Sequence, residues 1–247
     1  VGLKHFKNFF NAYYFDRLII NTLLLNILNL VFSFPVPLLL SILLNQIRKQ
    51  KVKRAIQTTI YVPYFISTVV LVAMLQILLS PSTGVVSGLL RKVHFISEST
   101  NLLGSPSAFV PVYVISGIWQ SAGWNSFIAA LSSVDGELYD AAKIDGADRW
   151  HQMIHLELPA LVPTIVILLI MNMGRVLSVG FEKVFLMQNS LNTPVSEIIS
   201  TLVYKRGLHD MQYSFATAVG LFNTIVNFTL LFVANKLSQK FGETSLW

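Results

Sequence analysis

The stretch Ser133-Val134-Asp135-Gly136-Glu137-Leu138-Tyr139-Asp140-Ala141-Ala142-Lys143-Ile144-Asp145-Gly146-Ala147-Asp148-Arg149-Trp150-His151-Gln152-Met153-Ile154-His155-Leu156-Glu157-Leu158-Pro159 lies between two long apolar runs. It is polar where both neighbours are not. Asp135 or Ser133 can cap a helix start, because a side-chain oxygen there accepts a free backbone N–H of the first turn, and Glu137 suits the positive end of the helix dipole. A short helix through Ile144 follows, and Gly146 supplies the backbone freedom to end it. A second helix over Ala147 to His155 puts Ala147, Trp150, His151 and Ile154 on one side. Pro159 and Pro163 disfavour helix in the residues before them and fit the first turn of the next segment. The predicted unit is helix, hinge, helix.

Outward from this knob the chain is too apolar for a soluble domain. Of 247 residues 53% are hydrophobic and 12% charged, with a mean hydropathy of +0.61, where soluble domains carry about 25% charged residues. A helix needs about 20 apolar residues to cross a bilayer. The charge-poor runs predict five spans, near 18–44, 57–79, 108–131, 160–181 and 212–235, with Gly104, Pro106 and Ser107 read as loop before the third. The fold class is therefore all-α integral membrane, a helical bundle. The net charge of +6 has its densest cluster at Arg48, Lys49, Lys51, Lys53 and Arg54, directly after the first span. That marks a cytoplasmic loop rather than a nucleic-acid surface. It places 80–107 and 182–211 outside, and 133–159 with the C-terminus inside. Cysteine is absent, so there is neither a disulfide nor a thiolate site.

Candidate chemistry is sparse. No Gly-Lys dipeptide occurs, which excludes a phosphate-cradling Walker A loop, so any ATP is hydrolysed by another chain. His151 and His155 share a helix face, but Gln152 stands where a metalloprotease has Glu and no third ligand is near in sequence. No cofactor and no metal is expected. If the fourth span is continuous, Arg175 lies within hydrocarbon and Glu182 follows two turns later on roughly the same face. The pair either lines the outer half of a solute route or joins as a structural ion pair. Trp119, Trp124 and Asn125 of the third span, Asn172 of the fourth, and Asn223 and Asn227 of the fifth offer aromatic faces and amides to a hydroxyl-rich solute. Asn21, Asn26 and Asn29 are assigned mainly to helix contacts.

Asp140-Ala141-Ala142, Asp145-Gly146-Ala147 and Leu158-Pro159 together resemble the cytoplasmic coupling loop, the EAA motif, of permease subunits in binding-protein-dependent ABC importers. Gly123-Trp124-Asn125, Gly180-Phe181-Glu182 and the ending Thr244-Ser245-Leu246-Trp247 extend the resemblance, each less specifically, toward the carbohydrate and polysaccharide group. The family usually has Glu at the first motif position; Asp140 keeps the charge and shortens its reach. The resemblance implies a single type I permease domain over 1–247, with the coupling loop at 133–159 inside it. The opening Gly2-Leu3-Lys4-His5-Phe6 looks like the external stretch after a first transmembrane helix, so six spans are expected in the native subunit. It further implies a second similar permease, two cytoplasmic ATPase subunits that use ATP and Mg, an external solute-binding protein, and import of an oligosaccharide or polysaccharide fragment through a bacterial cytoplasmic membrane. Asp140, Ala141, Ala142, Asp145, Gly146, Ala147 and Trp150 would meet the ATPase. The competing readings are a permease for a non-sugar solute, an ATP-independent secondary transporter or channel, and a membrane scaffold.

Overall fold

The computed structural model of this chain describes residues 2–47, 49–97, 100–123, 127–128, 131, 134–178, 180–241 and 245–246. The described residues form helices α1 (Lys4–Phe10), α2 (Phe15–Ser33), α3 (Pro35–Asn45), α4 (Gln50–Tyr61), α5 (Thr68–Leu78), α6 (Val85–Lys92), α7 (Pro106–Ser121), α8 (Gly136–Ile144), α9 (Arg149–Gln152), α10 (Leu158–Met173), α11 (Phe181–Met187), α12 (Thr193–Ser196), α13 (Ile199–Tyr204) and α14 (Tyr213–Phe241). Three continuous helices are long and apolar enough to cross a membrane: Phe15–Asn45, Arg149–Met173 and Tyr213–Lys240. Only 28%, 17% and 11% of their most apolar windows are buried within the chain, so most of their apolar surface is left for lipid or other subunits. The third expected span, 108–131, is not among them: α7 is 16 residues long and ends at Ser121, and it begins two residues earlier than expected because Pro106 opens the helix, its missing N–H falling where no helical partner exists.

The second span is not the continuous helix expected over 57–79. Helix α4 ends at Tyr61, Val62–Phe65 forms a 3-10 turn, and α5 leaves at 93°. Pro63 has no N–H to continue the ladder, and Ser67 starts the new helix by accepting the Val70 N–H at 3.3 Å. The kink is packed tightly: a Cβ on Gly123 would stand 2.8 Å from both the Ile60 carbonyl oxygen and the Tyr61 Cα.

The fourth span stops short of the expected residue 181. Helix α10 ends at Met173, a turn follows over 175–178, and Gly180 at φ +85° admits α11 in a left-handed conformation that non-glycine residues rarely adopt. Asn227 on α14 drives the break, accepting the Leu177 N–H at 2.9 Å, and both it (2.7 Å) and Asn223 (3.0 Å) donate amide hydrogens to Ser178 Oγ. Side chains of α14 thus replace the helical ladder where α10 lets go.

By internal packing the chain divides into two compact units, Val1–Asn29, Ile66–Gly117 with Arg175–Thr229, and Leu30–Phe65, Ile118–Gly174 with Leu230–Trp247. The first is built around Phe9, which is fully buried and meets the rings of Phe15, Phe215 and Phe222 at 5.1, 6.3 and 5.5 Å. Its loops are fastened by amides. Asn21 donates to the Pro194 and Glu197 carbonyls at 3.0 Å each, and buried Asn192 donates to the Leu103 and Met187 carbonyls at 2.8 and 3.0 Å. Asn26 donates to the Thr22 carbonyl of its own helix. The second unit packs Ile42, Phe127, Leu131 and Leu161 as its core, with Phe34, Leu38, Met153 and Ile165 against them.

Candidate functional site

The knob of the second unit begins with Asp135, whose carboxylate accepts the Glu137 N–H at 3.0 Å. Ser133, the other cap considered, lies outside the described residues. Glu137 in the first turn of α8 and Lys143 in the last both complement the helix dipole. The helix closes as a Schellman motif, Gly146 N–H bonding the Lys143 carbonyl at 3.1 Å and Ala147 N–H the Ala142 carbonyl at 2.9 Å. This closure requires positive φ at the residue after the cap, and Gly146 has φ +77°. The restart comes at Arg149, two residues later than expected, because Asp148 is the cap: its carboxylate accepts the His151 N–H and pairs with His151 Nδ1, both at 2.8 Å. The His151 backbone N–H, followed by its ring, holds the Asp148 carboxyl below the ordinary aspartate range.

Neither Pro159 nor Pro163 interrupts the helix below the knob. Met153–Glu157 forms a π turn that joins α9 to α10, so that Pro159 falls in the first turn of α10 and Pro163 inside it, both well within a continuous Arg149–Met173 helix. His151 and His155 stack at 5.9 Å, and their Nδ1 atoms face Asp148 and the His151 carbonyl. Among the described residues, no three His, Cys, Asp or Glu side chains gather in a metal-binding group.

The knob presents both charged and large apolar side chains outward. Ile144 is 88% exposed, Trp150 63% and Leu138 50%, side by side with exposed Asp140, Ala141, Asp145 and Gly146 and half-buried Ala142 and Ala147. Asp140 is ion-paired within its own helix to Lys143 at 2.6 Å. The structure therefore gathers Asp140, Ala141, Ala142, Asp145, Gly146, Ala147 and Trp150 on one projection, with Leu158 and Pro159 at the start of α10, and tips it with two large side chains, Leu138 and Ile144, that the motif did not single out.

Beneath the knob is a group that sequence reasoning missed. Glu157, in the π turn, is fully buried, and its Oε1 accepts from Asn45 Nδ2 at 2.7 Å, Gln46 Nε2 at 2.8 Å and Tyr139 Oη at 3.4 Å. Its second oxygen has no hydrogen-bond partner. Burial first, and then the Glu157 charge, raise the Tyr139 phenol above its ordinary pKa. One carboxylate thus ties α8, through Tyr139, to the end of α3. The signal available in the sequence was an acid directly before Leu158-Pro159 at the foot of an apolar run.

The solute-path candidates do not form one constellation. Trp119 is 43% exposed and lines a cavity of about 590 Å³ with Thr58, Thr59, Val62 and Pro63 at the α4 kink. Asn172 donates to the Leu168 carbonyl of its own helix. Arg175 sits exposed in the turn after α10, and Glu182 is exposed in the first turn of α11. They share no helix face because the helix ends between them, and no ion pair joins them. Asn223 is engaged with Ser178. Trp124 and Asn125 lie outside the described residues.

Apolar helices broken at two places and a water-facing, hinged projection define a membrane transport permease. The chain belongs to the family described as binding-protein-dependent transport system inner membrane component, whose model matches residues 37–242. It is 44% identical to the polygalacturonan/rhamnogalacturonan transport system permease protein YteP of Bacillus subtilis (strain 168), over all of this chain and 77% of that protein. It is 28% identical to the arabinooligosaccharides transport system permease protein AraP of the same organism, over 98% of this chain and 78% of that one. In the crystal structure of a bacterial alginate ABC transporter in complex with alginate pentasaccharide-bound periplasmic protein, one chain matches with a TM-score of 0.94 at 37% identity, covering 100% of this chain and 85% of its own. The protein is a multi-pass ABC importer permease, all-helical as the composition and the motif required.

Proposed function

We propose that this permease carries an oligosaccharide or polysaccharide fragment, acidic in character, across a bacterial cytoplasmic membrane. It does so beside a second, similar permease, with solute handed over by an external binding protein and ATP and Mg used by two cytoplasmic ATPase subunits. The observation that carries the reading is the knob at 136–157: a Gly-hinged helix pair whose Leu138, Ile144 and Trp150 are left exposed by the described residues. The similarity to permeases named for polygalacturonan and to an alginate transporter supports an acidic saccharide. Closure of the ATPase pair would push the knob, and the carboxylate of Glu157 would pass the displacement to the end of α3. The spans are thereby biased between inward- and outward-open states, a two-state mechanism in which the loop is the lever. Arg175, Trp119, Trp124, Asn125, Asn172, Glu182 and Asn223 remain the proposed solute-path residues.

Reconstitution tests this reading. The permease, copurified with its associated subunits and placed in liposomes, should import a galacturonate trisaccharide only when binding protein is outside and ATP inside. Uptake that persists without ATP, or purification without an ATPase, would point to the secondary-transporter reading instead.

A further inference from the structure

The first unit carries a cavity of about 770 Å³ whose lining unites two aromatic pairs with a set of ionic groups. Tyr13 and Tyr14 meet edge to face at 5.1 Å, and Tyr204 packs against Phe185 at 4.8 Å. Tyr13 is 92% exposed, a costly display for a ring with no covering group. Between the pairs, Arg17 and Lys205 converge on Glu197 at 3.1 and 3.7 Å, so two cations share one carboxylate. Arg17 offers five N–H donors in a fixed fork. Among the described residues only its Nη2 has an acceptor, and its Nε is buried with no partner. Lys205 opens a π turn, Lys205–His209, an irregularity often found at functional sites, which adds Arg206 to the lining together with Asp210, its ion-pair partner at 3.4 Å.

This geometry matches one ligand chemistry. A pyranose ring shows C–H faces that rest on aromatic rings and an equator of oxygens that takes hydrogen bonds, and a uronate adds a carboxylate that an arginine fork binds through two parallel N–H groups. The cavity lies within the range of small-ligand sites, and the surplus cation beside Glu197 favours an anion over a neutral sugar. We infer that the pocket between Tyr14, Arg17, Tyr204 and Lys205 is a binding site for the uronate units of an acidic oligosaccharide, where it is held on the external face of the permease. The inference rests on the import function proposed above and deepens it by assigning a site and a charge selectivity.

The test uses the whole transporter in nanodiscs, without binding protein, titrated with a galacturonate trisaccharide and, separately, with maltotriose, by saturation-transfer NMR. The parental complex should bind the trigalacturonate at least tenfold more tightly than maltotriose. Arg17→Gln with Lys205→Gln should weaken trigalacturonate binding tenfold or more and erase the preference; Tyr204→Ala should weaken both sugars. If the double variant does not assemble, Lys205→Gln alone, at a half-exposed position, should still lower affinity severalfold. Unchanged trigalacturonate affinity in assembled variants overturns the site, as does equal affinity for the neutral sugar. Loss of binding-protein docking with unchanged direct sugar binding would reassign the surface to a protein contact and also overturns it. ATP-driven uptake in the same preparations separates the two claims: uptake by the parent with sugar binding indifferent to these substitutions sinks only the site, whereas a parent without saccharide uptake sinks the function.

Discussion

Replacing Glu157 by Leu removes the acceptor on which three donors converge while filling a similar space. Gln46 Nε2, at 2.8 Å from the carboxylate, is left with no other acceptor, and Asn45 Nδ2 keeps only the Tyr139 hydroxyl at 3.1 Å. A stranded buried donor costs about 1–3 kcal/mol, so the loss of these bonds comes to about 2–4 kcal/mol. Glu157→Gln keeps the accepting oxygen in place for all three donors, and its amide replaces a carboxylate oxygen that already has no partner, so it should lose less than Leu. The damage should fall on coupling as well as on stability, because the bonds link Tyr139 of the knob to the end of α3. Thermal unfolding of the purified complex, sugar uptake and ATP hydrolysis should be measured on the same proteoliposomes. Leu should lower the melting temperature by several degrees and cut uptake more than hydrolysis, with Gln restoring both. If the Leu variant melts and imports as the parent does, the carboxylate is not the link between knob and spans.

Arg175→Ala should leave assembly intact, since Arg175 is exposed and forms no ion pair among the described residues, and should impair uptake if its guanidinium lines the solute path; normal uptake in a normally assembled complex would remove it from the path. Asp140→Lys breaks an exposed pair with Lys143 worth under about 1 kcal/mol, so a large drop in ATPase retention on pull-down would report the partner contact, and full retention would deny it. Because the chain has no cysteine, Ser82→Cys should react with an impermeant thiol reagent added outside and Gln50→Cys should not; the reverse pattern would invert the topology.

The sequence made the class and the knob legible because both depend on local signals. Apolar runs of spanning length, an Asp135 cap, and a Gly146 that must turn left-handed all act within a few residues of themselves. The breaks in the second and fourth spans were not legible, since they depend on groups far away in sequence: Asn227 takes the Leu177 N–H some fifty positions earlier, and Gly123 admits the close approach at Tyr61. Pro63 was a visible breaker, but composition alone cannot say whether a proline bends a span by a few degrees or by 93°. Arg175 and Glu182 were paired on the premise of one continuous helix, and that premise failed at Gly174. Glu157 escaped notice because a lone acid near a helix foot reads as solvated until its partners, Asn45 and Gln46, are brought to it from more than a hundred residues away.

The claim that the knob is the lever is tested most directly at Gly146. Its φ is +77° and a Cβ there would meet nothing within 4 Å, so Gly146→Val introduces no clash and acts through backbone conformation alone. Forcing a β-branched residue left-handed costs at least about 1–2 kcal/mol and should re-aim the second helix of the knob without touching a transmembrane contact. The decisive measurement is ATP-driven uptake of galacturonate trisaccharide by proteoliposomes holding equal amounts of assembled Gly146→Val or parental complex. The account predicts uptake reduced at least tenfold with membrane insertion unchanged; uptake at the parental rate would contradict it.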